Sequence, residues 1–107
     1  MKVRRRYLAL KIELKGNFSS RQIFNVIWNS VLQLYGEYGL SKTGLKFIDY
    51  YEKEKIMIIR TVHTAVDNVR AALASITNID SEPAAIHVLK VSGTLKALRK
   101  NLKLSQA

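Results

Sequence analysis

Three consecutive arginines, Arg4, Arg5 and Arg6, with Lys2 before them and Tyr7 directly after, form the densest chemistry-capable cluster of the chain. Guanidinium groups are permanently charged and fork-shaped, so they suit the capture of phosphate or carboxylate better than the breaking of bonds. A second cluster, Lys90, Lys96, Arg99, Lys100 and Lys103, closes the sequence with no acid beyond Glu82. Of a formal net charge of +10, residues 1–15 supply +5 and residues 83–107 another +5. Residues 16–82 hold seven basic and seven acidic side chains and sum to zero. Charge gathered at both ends of a chain points to a phosphate-rich partner. The competing reading is a pair of basic termini that hang in solvent.

Bond-making chemistry is poorly represented. The absence of cysteine removes disulfides, thiolate catalysis and cysteine-based zinc sites together. His63 and His87 are the only histidines, and neither has a neighbour two to four residues away that completes a metal site. His87 lies in an apolar run and reads as a hydrogen-bonded strand histidine, with a functional role as the alternative. Asp49, Glu52 and Glu54 straddle an expected turn and read as solvated carboxylates. Gly39 to Gly44 has the glycines of a phosphate loop, but a strand follows where Lys-Ser/Thr and a helix are required. Gly16 to Arg21 joins a strand to a helix N-terminus, a natural anion cradle. Acylphosphatases place an arginine-bearing loop there, but their glycine spacing and second-strand asparagine are missing. Such a small enzyme is kept only as an alternative. No catalytic residue is assigned.

The elements that must position the two clusters follow from periodicity. Leu8, Leu10, Ile12 and Leu14 alternate with Tyr7, Ala9, Lys11 and Glu13, as in a strand with one core face. Ser19 to Gln22 reads as a capping box, with Phe18 and Ile23 as its hydrophobic staple. Ile23, Val26, Ile27, Ser30, Val31 and Leu34 continue at helical spacing, with Gly36 and Gly39 as candidate breakers. Leu45–Tyr51 and Lys55–Val62 read as a hairpin around Glu52-Lys53-Glu54. A second helix starts near Thr64 and ends between Asn78 and Pro83. Ala84–Val91 is a fourth strand, and Ser92-Gly93-Thr94 leads into a basic C-terminal helix. Strand, helix, strand, strand, helix, strand is the pattern of an α+β, ferredoxin-like (RRM-like) βαββαβ sandwich, here with an added helix. Right-handed crossovers give a four-stranded antiparallel sheet in the order 4-1-3-2. The first and fourth strands are then neighbours, so Arg4–Arg6 should sit beside Lys90 and the root of the basic helix.

A nucleic acid is therefore the expected partner, with binding that weakens steeply with salt. Tyr7 has two readings, stacking on a base or ribose and packing beneath the last helix. The third strand offers Met57, Ile59 and Thr61, not the aromatics of an RNA-recognition motif, so shape and backbone recognition of structured RNA fits better. A length of 107 residues and 48% hydrophobic content bound the chain to one globular domain, 1–107. No apolar run reaches the roughly 18 residues of a membrane span, and no signal-peptide core follows the N-terminus, so a cytoplasmic protein is expected.

Arg6-Tyr7-Leu8 entering the first strand, the hairpin near Gly44, and His87-Val88-Leu89-Lys90-Val91-Ser92-Gly93-Thr94 entering a basic helix together resemble the ribonuclease P protein component 2 family. These proteins are archaeal relatives of the eukaryotic Pop-five subunit. The resemblance implies binding to ribonuclease P RNA, pairing with protein component 3, and support of 5′-leader removal from precursor tRNA. It also implies that chemistry belongs to the RNA and its magnesium ions, with no cofactor held by the protein. Self-association within a heterotetramer is a further family property. Arg6, Tyr7, His87, Gly93 and Thr94 are the shared positions. Lys2, Arg4, Arg5, Lys11, Lys90, Lys96, Arg99, Lys100 and Lys103 join them on charge and geometry. A general structured-RNA binder is the alternative.

Overall fold

A computed structural model describes residues 3–102, so Lys2 and Lys103 of the expected RNA surface lie outside the described residues. The chain runs β1 (Arg5–Leu14), α1 (Ser20–Thr43), β2 (Lys46–Tyr51), β3 (Ile56–Val62), a 3-10 turn (His63–Ala65), α2 (Val66–Ala74), β4 (Asn78–Ile79), β5 (Glu82–Ser92) and α3 (Leu95–Leu102). All pairings are antiparallel, in the order β2-β3-β1-β5-β4.

The architecture is α+β as expected, but the sheet has five strands where four were expected. The extra strand comes from residues 78–83, which the sequence suggests only as a helix-ending loop. Asn78 pairs with Pro83 and Ile79 with Glu82. Between them Asp80 and Ser81 both adopt positive φ, 49° and 70°. Two left-handed residues in succession make the tight turn whose twist suits a hairpin. Asp-Ser lacks the glycine that usually announces such a turn, and the buried Ile79 side chain anchors it instead.

β1 is central because both of its faces are covered. Leu8, Leu10 and Ile12 join Met57 and Ile59 of β3 against Ile23, Ile27 and Val31 of α1 and Val69 and Leu73 of α2. On the opposite face Ala9, Ile56, Ile58 and Tyr51 receive Leu98 of α3. α1 begins as its sequence requires: the Gln22 N–H donates to Ser19 Oγ at 3.2 Å and the Ser19 N–H to Gln22 Oε1 at 2.9 Å. Its end differs from expectation. Gly36 kinks the helix at φ 73°, ψ 178°, but helix resumes and runs to Thr43, where Gly44 caps it at φ 62°. The segment beyond the kink is retained because Leu40 and Thr43 are buried. Thr61 Oγ1 also donates to the Thr43 carbonyl at 2.6 Å, fastening the helix end to β3.

Candidate nucleic-acid interface

Strand register decides where the charges meet. Tyr7 lies opposite Ser92, Leu8 opposite Val91 and Ala9 opposite Lys90. The start of β1 therefore adjoins the end of β5 and the root of α3. A Cβ built on Gly93 would stand 3.6 Å from Arg6 Nη1, so the two cationic ends are in side-chain reach. Arg6 Nη1 donates to the Arg5 carbonyl at 3.0 Å, and the Arg4 carbonyl accepts from the His63 N–H at 2.8 Å, which ties the arginine run to β3. Arg4, Arg5, Lys90, Lys96 and Lys100 are exposed. Thr94 is the cap of α3: its Oγ1 accepts from the Ala97 N–H at 3.2 Å, while its own N–H donates to Ser92 Oγ at 3.3 Å. Gly93 and Thr94 thus aim the helix that carries Lys96 and Lys100.

Four of the expected residues sit otherwise. Arg99 turns inward, donating through Nη2 to Asp49 Oδ2 at 3.1 Å and through Nε to the Tyr51 hydroxyl at 2.8 Å. It holds α3 to the hairpin. Lys11 donates from Nζ to the Glu54 carbonyl and ties β1 to the β2–β3 turn. His87 faces Lys11 across the β1–β5 ladder and lies 3.4 Å from Glu13 Oε2. At about 3.4 Å per residue both stand roughly 17 Å along the strand from Arg6. Tyr7 is half-buried and packs against the cluster that Leu98 of α3 completes.

Two basic residues escape a reading of the linear sequence. Arg60 pairs with Tyr7 on one side and with Lys46 on the other. Directly paired residues share a face, and alternation places Arg5 on that face too. Lys46 is exposed, and Arg60 is partly buried with its Nε lacking any hydrogen-bond partner among the described residues. The signal for them is the register, since neither belongs to a charge run. On the opposite face of β2, burial and the charge of Glu52 push the Tyr50 phenol above its ordinary value of 10.0.

Among the described residues no group of three or more His, Cys, Asp or Glu side chains could hold a metal ion. The loop from β1 to α1 encloses a cavity of about 40 Å³ lined by Gly16, Asn17, Phe18 and Lys55, and Arg21 does not reach it. That volume holds water-sized groups, not a substrate. No helix of the described residues is long and apolar enough to cross a membrane.

The profile of the Rpp14/Pop5 family matches residues 6–103. Ribonuclease P protein component 2 of Methanobrevibacter smithii is 34% identical over 102 residues, covering 89% of this chain and 85% of that protein. The protein of the same name from Pyrococcus furiosus is 35% identical over 103 residues, covering 96% and 85%. A chain in the cryo-EM structure of yeast ribonuclease MRP shares the fold with a TM-score of 0.67 at 16% identity, covering 96% of this chain and 92% of that one.

Proposed function

The chain belongs to the Rpp14/Pop5 family, and from that membership we propose that it is a protein subunit of ribonuclease P that binds and stabilises the RNA. The observation that carries the RNA-binding role is the β1–β5 register, which brings Arg4–Arg6, Lys90 and the root of α3 to one rim without a carboxylate among them. Clustered cations of this kind lower the repulsion between RNA helices and bind through phosphates, with a linear dependence of log affinity on log salt. The RNA and its magnesium ions then perform the cleavage of precursor tRNA, and this chain supplies shape and charge. Protein component 3 is the expected protein partner, with a homodimer at the centre of a heterotetramer as the wider assembly. Support for a protein partner comes from the aromatic surface of α1. Trp28 and Tyr38 are 40% and 74% exposed, and Trp28 makes a tilted ring contact at 6.1 Å with Phe24, which meets Phe47 of β2 at 5.8 Å. Exposed aromatic groups of this kind favour protein contacts.

Reversal of Arg4, Arg5 and Arg6 to glutamate should abolish association with ribonuclease P RNA in a filter-binding assay and leave the circular-dichroism melt nearly unchanged, since Arg4 and Arg5 are exposed and the run joins β3 through its backbone. Retained RNA binding by the folded variant would refute the role of the rim. Competition with unrelated structured RNA separates a dedicated subunit from a general binder, which would hold both equally.

A further inference from the structure

The corner where β3 meets β2, on the face shared with α3, holds charges that the fold leaves unneutralised. Lys46 stands directly opposite Arg60, and Arg5 occupies the diagonal from it. Directly opposed side chains in an antiparallel pair are about 5 Å apart at Cβ and diagonal ones about 7–8 Å, and like charges at the shorter spacing are unfavourable. Asp49, on the other diagonal from Arg60, is engaged by Arg99, and Glu13 pairs with His87 toward the other end of the sheet. Arg60 Nε is enclosed without an acceptor among the described residues. An enclosed donor left unpaired and a pair of facing cations both weaken the free protein. A multivalent anion seated on the corner offsets the facing cations.

The geometry points to a seat for the RNA phosphodiester backbone formed by Arg5, Arg60 and Lys46, an inference that rests on the ribonucleoprotein reading above. The guanidinium fork of Arg60 is matched to bidentate capture of one phosphate, and Lys46 adds a point charge beside it. Half-buried Tyr7 forms the floor between Arg60 and the β1–β5 rim. The RNA path therefore runs across the ends of the strands from the root of α3 to the start of β2, and it is not confined to the two termini.

The test compares the wild-type chain with Arg60→Gln/Lys46→Gln, measuring affinity for ribonuclease P RNA across a salt series, with thermal melts of both proteins. Two lost phosphate contacts should flatten the slope of log affinity against log salt by roughly 1.4–1.8 and weaken binding at least about tenfold at low salt. The melt of the double variant should equal or exceed that of the wild type, because a facing cation pair has been removed. Arg60→Lys should recover part of the affinity, having charge without the fork. Lys46→Glu alone, at an exposed position, gives a readable loss even if substitution of Arg60 disturbs folding. Wild-type affinity and slope in the folded variants would overturn this seat and leave the subunit assignment standing. Failure of the wild-type chain to bind the RNA would overturn both.

Discussion

Replacing Leu98 with alanine should release α3 from the sheet, and the structure sets the size of the effect. The Leu98 side chain is fully enclosed, in one cluster with Ala9, Tyr51, Ile56 and Ile58. Removing three carbons from such a site costs about 2.4 kcal/mol at roughly 0.8 kcal/mol per buried methylene. A rigid cavity would push a Leu→Ala change higher within its usual range of about 2–5 kcal/mol. Rigidity is not expected here. α3 has eight residues, too few to persist as an isolated helix, so it can lift off instead of spanning a void. The loss should therefore stay near 2–3 kcal/mol, which lowers a urea midpoint by about 1.5 M for a slope of roughly 1.5 kcal/mol/M. The larger cluster between the sheet, α1 and α2 contains none of these contacts and should still unfold cooperatively. Hydrogen exchange supplies the local readout: the amides of Ala97 and Leu98, which bond back to Thr94, should lose protection while those of β1 and β3 keep theirs. Lys96 and Lys100 would leave the rim with the helix, so RNA affinity should fall as well. A midpoint shift below about 0.3 M with α3 still protected would refute the claim that Leu98 holds the helix.

Other perturbations follow from local geometry. Gly44→Ala forces a left-handed residue at φ 62° and brings a Cβ to 3.1 Å from Val62 Cγ1. It should cost about 1–2 kcal/mol in a denaturation curve, and an unchanged melt would show that the helix does not end in this cap. Tyr50 ionises less readily folded than unfolded. The stability from keeping its phenol neutral is full below the unfolded value near 10.0 and is lost as pH rises through the raised folded value. Wild type should therefore lose stability relative to Tyr50→Phe only above about pH 10, and parallel urea midpoints through that range would contradict the assigned burial.

What the sequence determined by itself were the features whose causes are local or periodic. Alternation set the two faces of β1, the Ser19–Gln22 box set the start of α1, and the +5 at each end marked the two cationic segments that the sheet brings together. The order of elements was enough to place the first and last long strands side by side, because crossover handedness leaves few topologies open. Tertiary structure decided the rest, since the deciding contacts join residues far apart in the chain. Burial of Leu40 and Thr43 carried α1 past a glycine that local propensity reads as a stop. Arg99 belongs to a basic run by sequence, and only the approach of Asp49 and Tyr51 makes it a clamp. Arg60 and Lys46 belong to no run at all, and only antiparallel register across three strands sets Arg60 between Lys46 and Tyr7.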